Sequence, residues 1–275
     1  MTTSVIKPIV AGYDGSPGSD RALRWALDEG RVRGLPVHVV EVLEWPVNVP
    51  PTQAGWLAAD ELDTAKTQLD RAVAVAGGGA ESVSIVEGSV VGTLCGQSPH
   101  AAMLVVGERG HGAFAGILIG SVSMAVATHA ACTVVVVRGD ERGNDKALAI
   151  VVGVDDSPQS RDAARFAFGE ARARGCDVVA ARAWRPDGDP SGELETAERY
   201  ALRRTVAPVA QAFPDVRWSM RLIADRPSKA MIDVSADAQL VVVGHRGRGG
   251  FAGLRLGSVA HQLVHHAHCP VAIVR

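Results

Sequence analysis

The chain has 275 residues, room for two domains that each bury their own core, and 28 basic against 30 acidic residues leave a net charge of −2. That balance excludes the broad basic face that sequence-independent nucleic-acid binding needs. Hydrophobic residues reach 47% with only 4% aromatics, the composition of α/β domains cored by aliphatic side chains.

In chain order, the apolar run Ile6 to Tyr13 predicts a strand buried on both faces, as parallel strands are. Ser16 and Pro17 open a helix whose apolar side is Ala22, Leu23, Trp25, Ala26 and Leu27. A second strand is predicted over Pro36 to Trp45. The proline-rich segment Pro46 to Trp56 reads as a surface loop that could cover a ligand. Asp60 to Gly77 is an amphipathic helix ending in glycines, "SVSIVEG" is the third strand, and a short helix runs to about Ser98. "MLVVG" is the fourth strand, "SVSMAVATHA" a helix and "TVVVVR" the fifth strand. Strands alternating with helical patterns imply a parallel sheet covered on both faces.

The same order then begins again. "IVAGYDGSPGSDRALRWA" from Ile9 matches "IVVGVDDSPQSRDAARFA" from Ile150, and "HAACTVVVVR" ending at Arg138 matches "HAHCPVAIVR" ending at Arg275. The chain is a duplication. Domains are expected at 1–139 and 146–275, joined by a polar linker at 140–145. No apolar run approaches the roughly 18–20 residues of a membrane span. The N-terminus lacks a signal-peptide hydrophobic region, and four scattered cysteines without a CxxC pair point to the cytoplasm.

Each copy carries a glycine-rich loop at the carboxyl end of its fourth strand, where open α/β sheets bind ligands. Gly107, Gly110, Gly112, Gly116, Gly120 and Ser121 recur as Gly244, Gly247, Gly249, Gly253, Gly257 and Ser258. Serine before a helical pattern suggests an N-cap, and the first N–H groups of that helix would face an anion. The P-loop is excluded, because no lysine precedes the serine. "GHGAFA" (Gly110 to Ala115) fits the dinucleotide fingerprint only loosely and lies too late in the repeat.

The spacing Gly107-x2-Gly110-x9-Gly120-Ser121, repeated as Gly244-x2-Gly247-x9-Gly257-Ser258, resembles the ATP-binding signature of the universal stress protein family. The resemblance spans nearly the whole chain, including Asp14 and Asp155 after each first strand. It implies two tandem Rossmann-like domains, each a five-stranded parallel sheet with helices on both faces. It further implies that Gly12 and Asp14, with Gly153 and Asp155, lie beside an adenosine, and that Val42 and Ala181 offer backbone groups to the adenine edge. Gly107, Arg109, Gly110, Gly120, Ser121 and Val122 would line ribose and phosphates. Gly244, Arg246, Gly247, Gly257, Ser258 and Val259 would do so in the second copy.

The ligand implied is ATP with Mg²⁺, bound by a stress-response regulator that acts through an unidentified protein partner and forms homodimers. The last strands, Thr133 to Val137 and Pro270 to Val274, are apolar edges suited to pairing. A slow ATPase or phosphotransferase, a scaffold with vestigial loops, and cyclic AMP as ligand remain open alternatives. Binding is expected rather than turnover, since no catalytic triad or acid–base carboxylate pair stands out. Glu108 would repel a triphosphate unless Mg²⁺ intervenes or the side chain turns to solvent. Because His245 and Arg248 replace Glu108 and His111, the second copy is expected to hold phosphate more tightly without metal. Asp156 stands where the first copy has Gly15, as a turn residue or a Mg²⁺ ligand. His261 and His265, one helical turn apart, lack the glutamate of a zinc-protease motif.

Overall fold

The structure is a computed structural model that describes residues 6–44, 51–110, 119–139, 148–186, 192–249 and 255–275, with side chains from residue 62 onward in the helix that begins at 51. The chain divides into two compact units between Val137 and Arg138. The first unit runs β1 (Ile9–Tyr13), α1 (Pro17–Arg33), β2 (Val37–Leu43), α2 (Pro51–Val75), β3 (Ser82–Glu87), α3 (Val90–Gln97), β4 (Met103–Gly107), α4 (Ser121–His129) and β5 (Thr133–Val137). The second repeats it as β6 (Ala149–Gly153), α5 (Pro158–Arg174), β7 (Val178–Trp184), α6 (Glu193–Ala210), β8 (Trp218–Ala224), α7 (Pro227–Val234), β9 (Ala238–Gly244), α8 (Ser258–His266) and β10 (Val271–Val274).

The strands of the first unit lie side by side in the order β3-β2-β1-β4-β5, and those of the second in the order β10-β9-β6-β7-β8. The described pairings within each unit are parallel, with Ile9 beside Val37 on one flank and Met103 on the other. Chain order therefore reverses between β1 and β4, and again between β6 and β9. In open α/β sheets the ligand crevice lies at the carboxyl ends of the strands at such a reversal.

Local chemistry fixes the helix that follows each first strand. Ser16 has extended backbone and its hydroxyl accepts the Ser19 N–H, Pro17 fills the first turn, and Gly34 closes α1 at φ 63°. Ser157, Pro158 and Gly175 (φ 69°) do the same for α5. Each of these helices buries a glutamate completely, Glu29 and Glu170, beside an arginine one turn later. The central strands β4 and β9 are buried along nearly their whole length, as their mostly apolar sequences require, with Gln239 the polar residue of β9.

One boundary differs from the sequence reading. The loop expected over Pro46 to Trp56 is helical from Pro51 onward, and α2 is accordingly longer than Asp60 to Gly77. A proline suits a first helical turn as well as a loop, so the proline cluster does not fix where the loop ends. Residues 46–50 and the linker at 140–145 lie outside the described residues. Cys176 and Cys269 are buried, and burial pushes the Cys269 thiol up to about 12. No described helix is long and apolar enough to cross a membrane.

Leu240 in β9 is fully buried, whereas Tyr200 on α6 is 68% exposed. Leu240→Ala should cost about 2–5 kcal/mol of stability. Tyr200→Ala should stay within about 0.5 kcal/mol. Urea unfolding followed by far-UV circular dichroism separates the two.

Candidate functional site

In the first unit two segments meet at the mouth of the crevice. Asp14, just past β1, accepts the Ser16 N–H on Oδ1 at 3.0 Å. The Ser16 hydroxyl also donates to the carbonyl of Arg109 at 3.1 Å, tying the start of α1 to the glycine-rich loop after β4. That loop is closed at its base: the Gly120 N–H donates to the Glu108 carbonyl at 2.7 Å, and the Glu108 N–H to Val137 at 3.0 Å. Residues 111–118, including His111 and most of "GHGAFA", lie outside the described residues.

The glycines here have different reasons to be glycine. A Cβ on Gly107 would sit 2.5 Å from the backbone carbon of Gly18, and one on Gly110 would sit 2.2 Å from Asp14 Oδ2. Gly18 in turn makes room for the Arg109 carbonyl, which a Cβ would approach to 2.4 Å. These are close approaches between α1, Asp14 and the loop. Gly120 is otherwise: its φ of −73° suits any residue, and among the described residues an added Cβ meets nothing nearer than 3.5 Å. Neither that backbone nor that packing demands glycine there, at the start of α4. Among the described residues no side chain caps that helix, and the first N–H groups of a helix lack intrahelical partners.

The second unit repeats this frame. Gly257 donates to the His245 carbonyl at 2.7 Å and His245 to Val274 at 2.8 Å, α8 begins at Gly257 without a side-chain cap, and a Cβ on Gly247 would lie 2.2 Å from Asp155 Oδ2. The polar contacts have drifted. Ser157 donates its hydroxyl to Asp155 Oδ1 at 2.6 Å, and the Arg248 N–H donates to Asp155 Oδ2 at 2.7 Å. The His245 ring contacts the Val274 carbonyl through Nδ1 at 3.2 Å and accepts from Arg246 Nε at 3.1 Å. Burial lowers its pKa, and the neighbouring Arg275 and Arg246 add to this against the pull of the Val274 carbonyl. The residue is neutral at physiological pH.

This arrangement coincides with a known family. The model of the universal stress protein family matches residues 6–138 and 148–275. The chain belongs to that family, as two such domains in tandem. A universal stress protein of Mycolicibacterium smegmatis is 37% identical over 97% of this chain and 96% of its own length. One from Mycobacterium tuberculosis is 35% identical over the same shares. Among solved structures, a universal stress protein from Archaeoglobus fulgidus superimposes with a TM-score of 0.73 over 98% of this chain and 96% of its own, at 20% identity, a likeness of fold.

Within this universal stress protein several expected positions shift. Ser121 and Ser258 are the first helical residues rather than N-caps; Gly120 and Gly257 cap instead, which leaves the first-turn donors uncovered. Cβ atoms on Gly12 and Gly153 would press on Leu94 and Val106, or on Val243 and Met231, so core packing accounts for the lack of a side chain at both positions. Val42 and Ala181 are not equivalent, since Gly12 pairs with Val40 and Gly153 with Ala181 in register. The partner of Val42 is therefore Ala183, and the Ala181 carbonyl already accepts the Val154 N–H at 2.9 Å.

Glu108 neither confronts the loop's interior unneutralised nor turns to solvent: it pairs with Arg21 of α1 at 2.9 Å and its side chain is 12% exposed. Arg21 thereby offsets the Glu108 charge, one part of the basis for expecting tighter metal-free binding in the second unit. Ser16, Gly18 and Ser123, whose buried hydroxyl donates to the Gly107 carbonyl at 2.6 Å, are site-shaping residues missed by sequence reasoning. The repeat signalled Ser16 through Ser157; Ser123 has no signal, because the second copy carries Ala260.

No group of three or more His, Cys, Asp or Glu is placed to hold a metal among the described residues. His261 and His265 are ring neighbours with centroids 4.8 Å apart.

The two kinds of glycine should behave differently in the ligand-free protein. Gly107→Ala forces backbone against backbone and should cost about 1–3 kcal/mol. Gly120→Ala should cost less than about 1 kcal/mol. Thermal melts of the two variants beside the parent check this.

Proposed function

We propose that each domain binds an adenine nucleotide, ATP foremost, and that occupancy sets the conformation or partner choice of a stress-response regulator. The observation that carries this reading is the uncapped start of α4 and of α8, held by the hydrogen-bonded base of its loop beside Asp14 or Asp155 at the reversal of strand order. Backbone donors at a helix start, strengthened by the helix dipole, suit phosphate. Room beside Gly120 lets a phosphate reach those donors.

In this reading the N–H groups of Ser121 and Val122, and of Ser258 and Val259, take the phosphates, with Gly107, Gly110, Gly244 and Gly247 keeping the loop close to α1 and α5. Arg109 and Arg246 supply positive charge at the rim. The carboxylates of Asp14 and Asp155 stand on the ribose side, and the peptide edge at the carboxyl end of β2 or β7, at Val42 or Ala183, beyond the last pairing with β1 or β6, takes the base. Mg²⁺ would enter with the phosphates, which with water supply most of its ligands. The chain's own groups bind and orient; none is assigned a bond-breaking step. Homodimers in the cytoplasm belong to the same proposal.

The test is to denature freshly purified protein, identify any released small molecule by mass spectrometry, and measure uptake of ATP and cyclic AMP by the emptied chain. ATP in a ratio near two per chain is the expected result. Gly120→Val, which places a branched side chain against the first turn of α4, should weaken the first site roughly tenfold or more, about 1.4 kcal/mol. A chain that neither carries nor takes up nucleotide would make the scaffold reading the better one. ATP consumed in step with added protein, and no longer consumed after Asp14 or Asp155 substitution, would make it an enzyme.

A further inference from the structure

The two domains share their glycine frame but not the charges beside it. Asp156 and Gly15 follow the site aspartates and adopt the same left-handed backbone, at φ 67° and 77°. Asp156 is enclosed by cations. Its carboxylate contacts Arg182 Nη2 at 2.6 Å, Arg248 Nη1 at 3.4 Å and Arg204 Nη2 at 4.0 Å, and the Thr205 hydroxyl donates to it at 3.4 Å. Arg182 of β7 also pairs with Glu198 of α6 at 2.5 Å. Burial alone would push the Asp156 carboxyl up, but the hydrogen bond and charge of Arg182, with the charge of Arg248, hold it below the usual range.

In the first domain the place of Arg182 is taken by Glu41, which pairs in register with Tyr13. The first domain thus has no Asp156 and an opposite charge in place of Arg182.

Two features make this cluster more than a structural ion pair. First, it is not saturated: Arg182 Nη1 is buried without a hydrogen-bond partner on a side chain only 4% exposed, a donor that a ligand oxygen or ring nitrogen would satisfy. Second, its arms differ in strength. The Arg182 contact is short and buried, whereas Arg248 stands in the glycine-rich loop with its side chain 69% exposed, where an ion pair is weak and exchangeable. Arg248 is also the side chain next to Gly247, where the proposed phosphates arrive.

We infer that Asp156 is a built-in competitor for anions at the second site: a phosphate ligand must take Arg248 from it, so the second domain binds every phosphate ligand more weakly than its glycine frame and arginines alone would allow. This rests on the proposed nucleotide binding. Breaking the Asp156–Arg248 contact costs the same whichever phosphate ligand arrives, and the retained carboxylate repels each of them. Neither Asp156 nor Arg248 has a counterpart of the same charge in the first domain, where Gly15 and His111 stand.

The experiment uses the full chain with its first loop blocked by Gly120→Val, with and without Asp156→Gly, titrated calorimetrically with ATP, AMP and inorganic tripolyphosphate. Glycine suits the left-handed backbone of residue 156, so the exchange leaves the turn intact. The expected result is that Asp156→Gly strengthens the binding of AMP, ATP and tripolyphosphate, each roughly tenfold. Unchanged or weaker binding of all three would overturn the inference. If nucleotides bind neither chain while Asp156→Gly still gains tripolyphosphate, the competitor role stands and the nucleotide reading fails. If tripolyphosphate gains nothing either, both fail.

Discussion

The site depends on one close approach. The loop after β4 and the turn after β1 leave adjacent strands at the reversal of strand order, and they meet so tightly that a single carbon on Gly110 would come within 2.2 Å of Asp14 Oδ2. The same distance recurs between Gly247 and Asp155. This contact sets the first segment against the second, and the Ser16-to-Arg109 hydrogen bond secures it in the first domain. The start of α4 is then presented beside Asp14 because the loop is pinned at its base by Gly120 and Glu108. Sheet, turn and helix end act as one frame, with backbone groups bearing most of the constraint.

The duplication separates what this frame requires from what it tolerates. Both copies keep the serine cap and proline start of α1 and α5, the buried glutamates, the base-closing hydrogen bond and the glycines that face the aspartates. Those features involve backbone, or side chains buried on both sides, where a change must be accommodated by neighbours. What differs is charge at the rim: Arg21 with Glu108 in one domain, and Asp156 with Arg182 and Arg248 in the other. Surface electrostatics can drift without disturbing a packed frame, and drift there alters what each crevice prefers to bind rather than whether it forms.

That division also explains what could be read from the sequence. Strand and helix order were legible because buried parallel strands are continuous apolar runs and α1 and α5 carry explicit start and stop residues. The glycine loops stood out because they recur. Which glycine serves which purpose was not legible: Gly12 and Gly107 look alike in sequence, yet the first is packed by side chains and the second by the backbone of a helix. The start of α2 was hidden because proline begins helices and fills loops alike. The ion pairs of Glu108 and Asp156 were not legible for a related reason, since their partners, Arg21 and Arg182, lie far away in the chain and only the fold brings them together.

The ion pairs suggest how one architecture can serve two unequal sites without rebuilding either. A carboxylate placed one residue beyond the site aspartate leaves the backbone as it was, because glycine and aspartate both enter the left-handed conformation there. Its cost is electrostatic and falls on the anion that arrives later. The Asp156 carboxylate is retained by the buried Arg182, so a ligand does not expel it but competes for the exposed Arg248. Competition of this kind lowers affinity for any anion that needs Arg248, whereas the shape of the crevice is set by the glycines and is untouched. Affinity and fold are thereby carried by different atoms, and the first can change while the second stays fixed.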